Sequence, residues 1–125
     1  MILVDSSVWV DHLRGCDPML ERLLEAGRVL AHSFVIGELA LGSLRQRSVI
    51  LDALRNLPQT VIASDAEVLA LIERHALFGL GVGYVDVHLL AATRLTPDVS
   101  LWTRDRRLRA VTERLGLAAG IAETR

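Results

Sequence analysis

Four short apolar runs, Met1 to Val4, Arg28 to Ala31, Gln59 to Ala63 and Val99 to Thr103, are spaced along the chain by segments of helical period. Each spacer is far longer than a hairpin loop, and parallel strands are the ones that need such crossovers. Strands alternating with helices therefore predict a parallel sheet with right-handed connections and helices on both faces. The expected class is α/β, a three-layer helix-sheet-helix sandwich around a central parallel sheet. A short fifth strand is expected near Leu117 to Ile121.

The spacers carry ordinary helix signals. Ser6 or Ser7 offers an N-cap for a helix through Arg14 that Gly15 closes, and Asp17-Pro18 starts a second with Leu20, Leu23 and Leu24 on one stripe, ending at Gly27. Helix follows from about Phe34 to Leu57, broken near Gly42-Ser43. Asp65, Val68, Leu69, Ile72 and His75 mark an amphipathic helix that ends before Phe78. After the loop Gly79-Leu80-Gly81-Val82-Gly83, a helix runs from about Tyr84 to Arg94, and the last long one spans Arg106 to Leu115. With 125 residues, 51% hydrophobic composition and no repeat or linker, residues 1–125 read as one domain with a substantial core.

Charge narrows the chemistry. The 14 basic and 15 acidic residues leave a net charge of -1, so any nucleic-acid contact must be local. Every basic residue other than histidine is arginine. Without lysine, a P-loop is excluded, and so is aspartyl-phosphate chemistry of the kind that uses a late lysine. Cys16 stands alone, too little for an internal disulfide or a structural zinc site, as expected of a reducing compartment. The longest stretch free of Asp, Glu, Lys and Arg, His75 to Val85, is well short of the roughly 20 apolar residues of a membrane span. Asp5 interrupts any signal-peptide pattern, and a cytoplasmic location is expected.

In open parallel sheets, ligands bind at the carboxyl ends of the strands. Asp5 follows the first strand and Asp105 the fourth; Glu38 lies in the apolar run Phe34 to Leu41, and Asp86 in the run Tyr84 to Ala92. Taken singly, each has an ordinary structural reading: N-caps for Asp5 and Asp86, helix-dipole complementation for Asp105, and a buried arginine pair for Glu38. No basic residue adjoins Glu38 or Asp86, and converging carboxylates repel unless protons or cations intervene. An oxygen-only donor set suits a hard ion such as Mg²⁺ or Mn²⁺, and with it phosphoryl transfer by one or two metals.

The segments Asp5-Ser6-Ser7-Val8-Trp9, Gly37-Glu38-Leu39, Gly83-Tyr84-Val85-Asp86 with Leu89-Leu90-Ala91-Ala92, and Thr103-Arg104-Asp105 together resemble the VapC-type PIN-domain toxins of type II toxin-antitoxin systems. The likeness covers the whole chain in order and spacing, with all four acids present. It implies a PIN-like fold and a Mg²⁺- or Mn²⁺-dependent endoribonuclease acting on single-stranded or loop RNA, such as tRNA or rRNA loops. It implies Asp5 and Asp86 as principal metal ligands, Glu38 and Asp105 as assisting acids, and Ser6 and Thr103 as hydroxyls beside them. A cognate VapB-type antitoxin that blocks the acidic pocket, a toxin homodimer and toxin-antitoxin hetero-oligomers are implied too. A catalytically weak RNA- or antitoxin-binding module on the same fold is the alternative. A nuclease for structured DNA would need added DNA-binding elements, for which the chain has no length.

Arg104, Arg106, Arg107 and Arg109 surround Asp105 and could hold RNA phosphates, but a solvated helix face is the favoured reading of the cluster; Arg104, with Ser6 and Thr103, is a candidate to touch substrate or support the acids. Trp9, Phe34 and Trp102 read as core. The histidines show no metal-ligand spacing, and His88, two residues beyond Asp86, points to another helix face. Leu13, Leu20, Leu23 and Leu24 read as core, with a partner surface as the other use of so many leucines.

Overall fold

The computed structural model describes residues 1–121 and Glu123. β1 (Ile2–Val4) is the middle strand of a parallel sheet, flanked by β2 (Val29–Leu30) and β3 (Ser100–Trp102), in the order β2-β1-β3. Ile2 stands opposite Val29 and Ser100, Leu3 opposite Leu30 and Leu101. Two single parallel bridges, Ala31 to Gln59 and Leu101 to Ala118, extend the sheet on either side. All five predicted runs thus lie in the sheet, but the runs 59–63 and 117–121 are not strands. Thr60 donates to the Ala31 carbonyl at 2.8 Å, after which Val61 and Ile62 turn out to solvent and pairing stops.

Seven helices join these strands among the described residues. α1 (Ser6–Gly15) and α2 (Pro18–Glu25) cross from β1 to β2; α3 (Ser33–Ala40) and α4 (Arg47–Arg55) continue outward. α5 (Asp65–His75) and α6 (Tyr84–Leu95) return the chain across the sheet to β3, and α7 (Arg106–Arg114) follows. Because the crossovers are right-handed, reversing direction moves the helices to the opposite face. The packing agrees: α1 lies on α3 and α3 on α4, whereas α5 packs on α6 and α6 on β3. No helix is long and apolar enough to cross a membrane among the described residues.

The core forms one cluster in which Leu3, Leu20, Leu89, Leu90 and Leu101 are essentially sealed from solvent. α6 is the most enclosed helix, with every residue from Val87 to Thr93 buried. Its apolar sequence needs no polar stripe, so Asp86 marks where the helix emerges from the core. The chain leaves β1 toward β2 and returns to β3 on the other side of β1. The topological switch therefore lies between β1 and β3, whose carboxyl ends carry Asp5 and the segment Thr103 to Asp105.

Candidate active site

Asp5 is buried at the end of β1 and is itself the N-cap of α1, its ordinary structural reading, in place of Ser6 or Ser7. One carboxylate oxygen, Oδ2, accepts from the Ser7 amide at 3.4 Å, from Ser7 Oγ at 2.7 Å and from Thr103 Oγ1 at 2.8 Å. None of these bonds falls on Oδ1. The Thr103 hydroxyl also accepts from the Asp105 amide at 3.1 Å, and Ser7 Oγ accepts from the Arg104 amide at 3.0 Å. Two hydroxyls thus tie β1 to the segment after β3 across the switch.

Asp105 caps α7, its Oδ1 accepting from the amides of Arg107 and Leu108 at 3.0 Å each, with no such bond on Oδ2. Asp86 sits in the first turn of α6, not at its cap, and reaches back so that Oδ2 accepts from the Gly83 amide at 3.1 Å. Each aspartate therefore commits one oxygen to holding its helix start and, among the described residues, keeps the other uncommitted. The capping explanation and the functional one are compatible, because they use different oxygens of the same carboxylate.

Glu38 departs from expectation. The residue is exposed on α3 and makes no ion pair among the described residues, so no arginine offsets it. Its carboxyl is nevertheless partly enclosed, and that desolvation, with the negative charges of Asp5 and Asp86, raises its pKa; the nearby Ser6 hydroxyl eases the rise. Asp86 is likewise raised, first by burial and then by Asp5 and Asp105, against the Gly83 bond that favours the anion. Four acids dispersed in sequence thus come within electrostatic reach in a linked series, Glu38 with Asp5 and Asp86, and Asp86 with Asp5 and Asp105.

This donor set fits a hard divalent cation, since it offers only oxygens, several of them uncommitted, and its mutual repulsion is what a cation relieves. Among the described residues, no three His, Cys, Asp or Glu side chains by themselves form a group that could hold an ion. An open cavity of about 510 Å³ adjoins Glu38, which lies on its wall with Ser6, Val10, Leu13, Ile50 and the arginines Arg14 and Arg45.

The chain from residue 2 to 114 matches the family model described as PIN domain. The chain belongs to the PIN-domain family. Within that family it is of VapC type, 48% identical over 118 residues to Ribonuclease VapC32 from two Mycobacterium tuberculosis strains, CDC 1551 / Oshkosh and ATCC 25618 / H37Rv. The matched segment is 94% of this PIN protein and 95% of each relative.

The PIN site also shows which neighbours do other work. The guanidinium of Arg104 pairs with Asp11 at 2.9 Å, with Glu123 at 3.0 Å and with Asp17, and lies over the Trp102 ring. With its donors so engaged, Arg104 tethers α1, α2 and the segment after α7 to the end of β3, as a residue supporting the site. His88 is buried between Phe34 and Tyr84, with Nε2 3.7 Å from Asp65 Oδ1. Nearby His32 caps α3 by accepting from the Phe34 amide at 2.9 Å; burial and then His88 lower its pKa to about 4, so it remains neutral there. The Cys16 thiol donates to Glu21 and its pKa is raised chiefly by that bond, which argues against an activated nucleophile. Ser7 is the residue that sequence reasoning missed in the site. Its signal was the Asp5-Ser6-Ser7 spacing, since an N-cap side chain bonds the residue two places on.

Proposed function

We propose that this PIN-domain protein is the toxin of a type II toxin-antitoxin system and acts as a divalent-metal-dependent endoribonuclease on single-stranded or loop RNA. The observation that carries this reading is the gathering of Asp5, Glu38, Asp86 and Asp105 into one mutually repelling site with uncommitted oxygens. The two VapC32 relatives carry the word ribonuclease in their names. Nothing in the site favours a binding module without catalysis, because all four acids are present.

Asp5 and Asp86 would be the principal ligands for Mg²⁺ or Mn²⁺, with Glu38 and Asp105 assisting. When bound, the cation supplies Lewis acidity and a water of lowered pKa. Ser7 and Thr103 fix the direction of Asp5. Glu38 is the acid least tied by hydrogen bonds, and its raised pKa suits its carboxylate to orient the attacking water and accept its proton. Ser6, beside Glu38, tunes that proton affinity. The half-apolar cavity at Glu38 gives a VapB-type antitoxin a path to block the acids. A homodimer, hetero-oligomers with the antitoxin, and a cytoplasmic location complete the reading.

The test is cleavage of total cellular RNA by purified, antitoxin-free protein with Mg²⁺ or Mn²⁺, with the new RNA ends mapped. Discrete ends are expected, lost in EDTA and restored when metal is returned. No cleavage by a folded protein that binds metal would transfer the weight to the binding module. Glu38→Gln should weaken metal binding about tenfold or more in calorimetry at neutral pH, as loss of a directly or water-bound carboxylate does. Unchanged affinity would leave Glu38 the proton acceptor alone.

A further inference from the structure

A site built from four acids repels the polyanion it is proposed to cut, and a chain of net charge -1 has no general positive field to offset this. The compensation must come from arginines close to the acids and not already neutralised. The arginines around Asp105 differ sharply in this respect. Arg104 is held by three carboxylates, and Arg109 pairs with Glu113 at 3.2 Å. Arg106 and Arg107, the two residues that directly follow Asp105, are exposed and have no carboxylate partner among the described residues. Arg114, two turns along α7, donates to the His75 carbonyl and so is fixed in place while its charge stays uncompensated by any acid among the described residues.

These three arginines line one groove of about 320 Å³, floored by Leu80, Ala110 and Val111. The loop before α6 forms its other wall. Gly81 lies there at φ +79°, and a Cβ on it would come within 2.7 Å of both Cδ and a guanidinium nitrogen of Arg107. The glycine thus leaves the space in which the Arg107 side chain lies across the loop. Two residues on, Gly83 donates its amide to Asp86. The groove is therefore bordered by the two arginines that directly follow Asp105 and by the loop that leads to Asp86.

We propose that Arg106, Arg107 and Arg114, with the Gly81 loop, form the seat for backbone phosphates of single-stranded RNA flanking the phosphate that is cut. This rests on the ribonuclease reading and adds to it the place where the substrate strand runs. The guanidinium fork makes bidentate contacts with phosphate, and contacts to phosphate position a strand without reading its sequence. The seat therefore sets affinity and register, while base selection lies elsewhere.

The test uses Asp86→Asn protein, folded but unable to cut, titrated into a fluorescein-labelled single-stranded RNA pool with Mg²⁺ at several salt concentrations. Adding Arg106→Ala and Arg107→Ala should weaken binding about tenfold or more and flatten the salt slope by about 1.4, since each lost contact to a single strand removes about 0.7. Arg28→Ala, which removes the same charge at the opposite end of β2, should change neither. Gly81→Ala should weaken binding more when Arg107 is present than in Arg107→Ala protein, where only the strain of alanine at φ +79° remains. Arginine variants that bind like Arg28→Ala would overturn the seat and leave the ribonuclease reading standing. A parent protein that binds no RNA, together with wild-type protein that cuts none, would overturn both.

Discussion

Replacing Asp86 by Asn is expected to reduce RNA cleavage about a thousandfold or more and, in the same protein without metal, to raise the unfolding midpoint at neutral pH. The first effect follows from removing a carboxylate proposed as a principal metal ligand while keeping its shape. Asparagine can still accept the Gly83 amide through its side-chain oxygen, so the start of α6 keeps its bond. The second effect follows from linkage. Burial and the charges of Asp5 and Asp105 raise the Asp86 pKa above its unfolded value, so the folded protein holds that proton more tightly than the unfolded chain. The destabilisation is absent below the ordinary carboxylate range, appears as pH rises through it, and is complete once pH exceeds the raised folded value. Wild type and variant should accordingly have similar midpoints in acid and diverge toward neutrality, the variant being the more stable. Saturating Mg²⁺ or Mn²⁺ should reverse that order, because a ligand that binds only the folded wild type stabilises it alone. Thermal unfolding across pH, with and without metal, gives both orders in one series. A folded variant that cleaves at the wild-type rate would remove Asp86 from the site.

The sequence made the sheet tracks and acids legible for identifiable reasons. Apolar runs bounded by Asp, Pro and Gly located all three strands, since burial on both faces of a parallel strand demands such runs. The same logic overextended the runs 59–63 and 117–121. A strand needs a partner along its length as well as suitable residues, and at the sheet's edges the partner gives out after one bridge. The acids stood out because each interrupts or ends an apolar run. Their mutual repulsion was inferable, but that no arginine pairs with Glu38 among the described residues was a tertiary fact. Arg104 shows the opposite failure: its placement beside Asp105 suggested substrate, whereas Asp11, Asp17 and Glu123 reach it from distant parts of the chain. No local pattern separates Arg104 from Arg106 and Arg107. Their different availability appears only when the carboxylates around each are known.

Thr103 should prove as important as an acid, although it carries no charge. Its hydroxyl is buried, donates to Asp5 Oδ2 at 2.8 Å and accepts the Asp105 amide at 3.1 Å, so it joins the two acids on either side of the topological switch. Thr103→Val keeps the shape and the β-branch but removes both bonds. A hydrogen bond to a charged group contributes about 1.5–3 kcal/mol, and a partly buried amide left without its acceptor adds to the cost. A loss of about 2–3 kcal/mol in unfolding free energy is therefore expected. Cleavage should fall about tenfold to a hundredfold in protein that is still folded, as when partners that orient metal ligands are removed. Thr103→Ser retains the hydroxyl and should restore most of the activity, which separates orientation of Asp5 from packing of the methyl group. Ser7 supplies the other hydroxyl on the same oxygen, at 2.7 Å. Ser7→Ala and Thr103→Val should therefore be non-additive in both stability and cleavage, since each leaves Asp5 dependent on the other. If Thr103→Val matches Thr103→Ser in cleavage, Ser7 alone suffices to aim Asp5, and the tie across the switch serves the fold and not the chemistry.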